Sequence, residues 1–169
     1  MAFNQFMHPR NIYRQKINYD HLAQEYPEFG RHVCRDSKGK PHIDYNDITV
    51  LRSLTKTLLK HDFHLDVQIP EQRLVPTVPM RLNYILWIED LLQYCRLSSA
   101  SIIQGIDIGT GSCSIFPLLA TILNPDWRFA ATEIDSINLD YADKNVKTNN
   151  LQDKIISEYI LSSFVCSCR

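Results

Sequence analysis

The chain has no strong excess of charge of either sign: 18 Lys and Arg stand against 19 Asp and Glu, a formal net charge of −1. A nucleic-acid binder usually shows a basic domain or patch, and the whole-chain balance gives no such signature. No apolar run approaches the ~20 residues that span a bilayer, and the first ten residues lack the hydrophobic stretch of a signal peptide. A soluble, intracellular protein is expected. The five cysteines (Cys34, Cys95, Cys113, Cys166, Cys168) are odd in number and scattered, unlike the disulfide framework of a secreted module. Cys166 and Cys168 would make half of a zinc pattern, but no second Cys/His pair stands at ligand spacing, and His61 with His64 reads as a solvated pair. No metal site is expected.

What is present fits one sizeable core with a small appendage: 169 residues, 44% of them hydrophobic. Charge is unevenly spread. Residues 1–40 hold seven basic side chains (Arg10, Arg14, Lys16, Arg31, Arg35, Lys38, Lys40) against four acidic ones, which makes the amino-terminal arm a candidate anion contact. Residues 1–18 are polar, basic and aromatic without periodicity, and predict either an arm that needs a partner to order it or a solvated tail.

Along the chain, Tyr19 to Phe29 has a helical pattern ending near Pro27, and residues 37–40 read as a turn between two short strands. Asn46 or Asp47 can cap a helix running to about Lys60, with Val50, Leu51, Leu54 and Leu58 on its apolar face. From Phe63 the period becomes two, with Phe63, Leu65, Val67 and Ile69 alternating with polar residues, which predicts a half-buried strand ended by Pro70. Thr77 and Pro79 start a further helix to about Cys95 with Arg81 in its first turn, and a Ser-rich linker covers residues 97–101. The alternation after that is strand, helix, strand, helix, the order of a parallel sheet.

Ile102 to Ile108 reads as a buried strand leading into Gly109-Thr110-Gly111 and a helix over Ser112 to Leu123, in which Pro117 is tolerated only near the first turns. A second strand, Trp127 to Thr132, ends at Glu133, and Ser136 can cap the next helix to about Thr148. Glycine suits a tight turn and close approach to a ligand, and a carboxylate at the neighbouring strand tip can accept hydrogen bonds from both ribose hydroxyls. Gly-x-Gly alone is an ordinary strand-to-helix turn; with Asp107 before it and Glu133 spaced after it, the pattern points to an adenosine cofactor. A dinucleotide fingerprint would place a third glycine where Ser114 stands, so the NAD reading is weakened without being removed. S-adenosyl-L-methionine has no phosphate, and needs instead open glycine turns and a counter-charge for its carboxylate.

Five strings go further: Met7-His8-Pro9-Arg10-Asn11, Tyr26-Pro27-Glu28-Phe29, the stretch Leu74-Val75-Pro76-Thr77-Val78-Pro79 with Arg81-Leu82-Asn83-Tyr84, Gly105 to Gly111, and Ala131 to Asp135. They resemble the methyltransferase-like 16 family of RNA adenine N(6)-methyltransferases over about residues 1–156. The resemblance implies an α/β fold, a truncated class I (Rossmann-like) methyltransferase sheet with a small amino-terminal α+β extension. It divides the chain into a basic RNA-binding arm and extension (1–45), a partial S-adenosylmethionine-binding domain (46–156) and a divergent tail (157–169). It implies methylation of adenosine in structured RNA, such as U6 small nuclear RNA and a messenger hairpin, in the nucleus and also in the cytoplasm. Arg81, Gly109 and Glu133 fall on cofactor positions, with Asp107 and Gly111 beside them, and Cys113 stands where the family is expected to carry Ser. Arg10, Arg14 and Lys16 fall in the arm that grips RNA.

The family's catalytic loop, Asn-Pro-Pro-Phe, occurs nowhere in these 169 residues. No catalytic residue is therefore named, and the chain reads as a truncated or mis-spliced product that would not turn over alone. Two other readings stay open: a non-catalytic RNA- or partner-binding short isoform, and an NAD-binding domain.

Overall fold

The structure, a computed structural model, describes residues 6–95 and 102–160. Three parallel strands form its main sheet: β3 (Gln104–Ile108), β4 (Arg128–Glu133) and β5 (Ile155–Tyr159), in that spatial order. Helices α5 (Ile115–Leu123) and α6 (Ser136–Thr148) make the two crossovers. Register places Asp107 beside Ala131 and Glu133 beside Tyr159, so the turns that follow β3 and β4 open at the same end of the sheet.

The amino-terminal half has two short helices, α1 (Tyr19–Glu25) and α2 (Pro27–Gly30), and the two-stranded antiparallel pair β1 (Cys34–Arg35) and β2 (Pro41–His42). Two longer helices follow, α3 (Ile48–Phe63) and α4 (Val78–Tyr94). Pro27 begins α2 where a helix end was expected, because a proline in the first helical turn lacks only an N–H that has no intrahelical acceptor. Asp47 caps α3 by accepting the N–H of Thr49, and the helix buries Val50, Leu54, Leu58 and Leu59. A continuous apolar cluster joins Leu22, Phe29 and Ile43 of the extension to Leu118 and Leu119 of α5 and Ile155 of β5.

Four expectations are corrected. Residues 64–70 alternate in burial as the period of two requires, with Leu65, Val67 and Ile69 inside, yet they join no strand. Two of their residues have their backbone groups met instead by Asn145 of α6 and by Asn149, which caps the end of that helix. Asn149 bonds the N–H and C=O of Asp66 at 2.8 Å each, and Asn145 bonds those of Gln68 at 2.7 and 3.0 Å. Strand β3, read as a buried strand, turns Ile106 and Ile108 to solvent, 72% and 77% exposed, and pairs with β4 alone among the described residues. The cap of α6 is Asp135 rather than Ser136, its carboxylate accepting the N–H groups of Ile137 and Asn138. Helix α5 starts at Ile115, not Ser112, which places Pro117 third in the helix, where its missing N–H costs no hydrogen bond.

The described part of the arm is ordered within the chain rather than by an outside partner. Asn11 is almost fully buried; its side chain donates to the carbonyl of Pro79 and caps a 3-10 helix over Ile12–Arg14. His8 and Arg10 reach across to the carboxylates of α4, and the Tyr13 hydroxyl donates to Asp62 at 2.7 Å. No helix among the described residues is long and apolar enough to cross a membrane.

Candidate cofactor site

The turn after β3 is shaped by backbone conformations that only glycine adopts without strain. Gly109 and Gly111 have φ of +75° and +66°, and a Cβ added at either would meet nothing within 4 Å. The space beside both glycines is open for a ligand. Gly109 and Thr110 both donate their N–H to the carbonyl of Thr132 at 2.9 Å, which fastens the turn to β4.

Glu133 closes the turn from the other side. Its Oε2 accepts the Gly111 N–H at 2.9 Å, and its Oε1 accepts those of Ile134 at 2.8 Å and Asp135 at 3.1 Å. Burial and three backbone donors fix this carboxylate in place; Oε1 has both lone pairs engaged, and Oε2 keeps one for a hydroxyl. Asp135 is itself held by a two-pronged ion pair with Arg73, at 2.9 and 3.2 Å, so the tip of β4 is braced by the loop before α4. Backbone N–H groups, that of Asn138 first, hold the Asp135 carboxyl below the usual range.

On the β3 side, Asp107 accepts the Thr110 hydroxyl at 2.7 Å, and Ser114 Oγ lies 3.0 Å from the same hydroxyl. The serine at the place of a third glycine is thus fully buried inside the turn, in a left-handed conformation with φ +52°. Burial raises the Asp107 pKa above the ordinary aspartate value, the Thr110 bond opposes this, and the Glu133 charge adds to it. Cys113 is buried and its thiol is pushed up to about 12, so it serves as an apolar wall and not as a nucleophile.

Arg81, in the first turn of α4, sits close enough to Cys113 for its charge to act on that thiol, and its guanidinium carbon lies 6.0 Å from the centre of the Phe116 ring. Its Nε is buried and has no hydrogen-bond partner among the described residues. A buried cationic donor left unpaired beside a glycine turn is suited to an anionic group of a ligand. The turn therefore gathers Arg81, Asp107, Gly109, Gly111, Cys113 and Glu133 from separate elements.

The arm residues part company. Arg10 is engaged inside the chain, paired with Glu89 and Asp90 at 2.5 Å each and donating to the Leu86 carbonyl at 3.1 Å. Arg14 and Lys16 instead line a surface groove with Lys40, Tyr13, Tyr19 and Tyr45. Cys166 and Cys168 lie outside the described residues.

One residue escaped the sequence reading. Asn145, 1% exposed, bonds both backbone groups of Gln68 and donates to the Ser112 carbonyl at 3.1 Å, tying α6 to the glycine turn. The available signal was an asparagine on the inward face of α6, flanked by Ala142 and Val146.

Comparison with known proteins places the chain in a family. The profile of a family described as RNA methyltransferase matches residues 1–160. The RNA N(6)-adenosine-methyltransferase mettl16 of Xenopus laevis is 50% identical over 156 residues, covering 92% of this chain and 28% of that protein. The U6 small nuclear RNA (adenine-(43)-N(6))-methyltransferase of Dictyostelium discoideum is 38% identical over 159 residues, covering 90% and 28%. Among solved structures, the N-terminal domain of human METTL16 in complex with SAH superposes with a TM-score of 0.87 at 44% identity, covering 92% of this chain and 60% of that one. The chain thus spans between a quarter and a third of the length of these relatives. A profile match over nearly every residue, and a fold shared at this identity, mean that the chain belongs to the RNA methyltransferase family.

Proposed function

We propose that this chain forms the S-adenosyl-L-methionine-binding part of an RNA adenosine N(6)-methyltransferase acting on structured RNA, of which U6 small nuclear RNA and a messenger hairpin are the model substrates. The observation that carries the reading is the open glycine turn tied to Glu133, with the unpartnered Arg81 nitrogen beside it. These residues fit the cofactor. Glu133 would accept a ribose hydroxyl at Oε2, Arg81 would face the methionine carboxylate, and the two glycines would leave room for the backbone to approach the ligand. The bound cofactor supplies a sulfonium methyl group for transfer. Asp107 then braces the turn from within, and Glu133 with the Thr132 carbonyl holds it on β4, so that the ligand meets a site already in shape.

Arg14, Lys16 and Lys40 would neutralise RNA phosphates in their groove, and Tyr13, Tyr19 and Tyr45 give it aromatic walls. Arg10 would act indirectly, by holding the arm on α4. Hydrogen-bond acceptors and a stacking ring for the flipped adenine would come from an Asn-Pro-Pro-Phe loop, which these 169 residues do not contain, so they are expected to bind the cofactor without transferring its methyl group. Such a protein would work in the nucleus.

Thermal melting with three ligands tests the reading. S-adenosylmethionine and its demethylated product should raise the midpoint, and NAD should not. Stabilisation by NAD alone would sink it.

A further inference from the structure

Helices α1 and α3 bring together three side chains that the cofactor site does not use. His21 and Glu25 stand one turn apart on α1, and His61 comes from the last turn of α3. His21 Nδ1 lies 3.8 Å and His61 Nε2 3.3 Å from the same oxygen of Glu25, and the three ligand atoms all lie within 4.8 Å of one another. A tetrahedral ion with bonds of about 2.0–2.2 Å sets its ligands roughly 3.3–3.5 Å apart, close to the two measured separations. We propose that His21, Glu25 and His61 form a divalent transition-metal site of the zinc type, which staples the amino-terminal extension to α3.

A second layer supports the geometry. The other ring nitrogen of His61, Nδ1, lies 2.7 Å from Asp62 Oδ1, the arrangement that fixes a metal-ligating imidazole with its Nε2 lone pair free. Asp62 is in turn held by the Tyr13 hydroxyl from the arm at 2.7 Å. Each ring nitrogen of His61 therefore faces a carboxylate oxygen, and a cation between Nε2 and Glu25 resolves the repulsion between two acceptors. The rings of His21 and His61 meet edge to face with centroids 5.7 Å apart, which leaves their nitrogens converging on Glu25. His21 and Glu25 are exposed, so an ion can enter from solvent and keep water as its fourth ligand. Residues from α1 and α3 would then be joined across about forty positions of sequence, with Tyr13 adding the arm to the same cluster. This assignment rests on none of the cofactor residues.

Cobalt(II) titration of the full chain tests it, in a background with Cys166→Ser and Cys168→Ser so that neither of these two thiols competes. One equivalent should bind with the visible absorption of a low-coordinate site and without a thiolate charge-transfer band, zinc should displace it, and zinc should raise the melting midpoint. His21→Ala and His61→Ala should each weaken binding more than about 100-fold, and Asp62→Asn about tenfold, as loss of an outer partner does. Circular dichroism would show that the exposed His21 variant keeps its fold. Failure of the parent chain to bind, a thiolate band, or an affinity in either histidine variant equal to that of the parent would overturn the assignment.

Discussion

The backbone N–H of Gly111 donates to Oε2 of Glu133 across 2.9 Å, so the turn after β3 and the tip of β4 form one braced unit. Glu133 therefore has two tasks in the proposed site, to set the turn and to receive the ribose. Replacing it by Ala removes both. Loss of charge-assisted hydrogen bonds at about 1.5–3 kcal/mol should weaken S-adenosylmethionine binding by roughly ten- to a hundredfold. Calorimetric titration checks this. Unchanged affinity in Glu133→Ala would show that the adenosine does not sit at this strand tip.

The two classes of arm cation should separate in RNA binding. Each phosphate contact releases a counterion, so Arg14→Ala with Lys16→Ala should flatten the slope of log affinity against log salt by roughly 1.5–2. Arg10→Ala should leave that slope nearly unchanged, because its partners are Glu89 and Asp90; of these the pair with Asp90 is half-exposed on both sides and contributes only about 0–1 kcal/mol to holding the arm. Filter binding at four salt concentrations distinguishes the cases. An equal flattening by Arg10→Ala would mean that its ion pairs open for RNA.

Parts of this site were legible in the sequence for a physical reason, and others were not. Gly109, Gly111 and Glu133 are read from chain order because a strand, a turn and a crossover put them together by local geometry alone. Arg10 and His21 depend on long-range packing: nothing near Arg10 in sequence announces Glu89 and Asp90, and His21 meets His61 only because α1 lies on α3. The segment after Phe63 shows the limit of periodicity. Alternation reports which side chains of an extended backbone are inside, and is silent about what bonds the backbone, here Asn145 and Asn149 instead of a strand.

Asp107 predicts a pH dependence. Its folded-state pKa lies above the ordinary value through burial first and the Glu133 charge last, with the Thr110 bond opposing, so its ionised form is the less favoured one in the fold. The protonated form's contribution is complete below the unfolded value of about 3.9 and is lost as pH rises through the higher folded value. Asp107→Asn keeps an acceptor for Thr110 and removes the charge. Its melting midpoint should match the parent below about pH 4 and exceed it increasingly above, in paired melts across pH 3 to 7. A variant less stable at neutral pH would mean that the charge is needed.

Asn145 should be a stability residue with a local signature. Asn145→Ala leaves the Gln68 N–H and C=O and the Ser112 carbonyl without their side-chain partner, at a cost of about 2–4 kcal/mol. Urea unfolding measures the total. Amide exchange should quicken first at Gln68, since the extended segment has no strand to fall back on. A loss under about 0.5 kcal/mol would show that water replaces the amide without penalty.

The last expectation concerns the open side of the sheet. Strand β3 has one neighbour among the described residues, β4, and its other edge carries unpaired backbone groups beside the exposed Ile106 and Ile108. Such an edge is a template for pairing with a second chain. Charge placed on the exposed face should oppose that pairing without disturbing the core, because neither side chain belongs to the buried cluster. Ile106→Lys with Ile108→Lys should therefore raise the concentration at which these 169 residues aggregate, as light scattering reads it, and change the melting midpoint by little. A fall in the midpoint matching the burial of two isoleucines, at about 1.5–3 kcal/mol each, would show that this face is covered in solution. Aggregation unchanged by both lysines would place the sticky surface elsewhere, on the exposed Tyr84, Trp87 and Leu91 of α4.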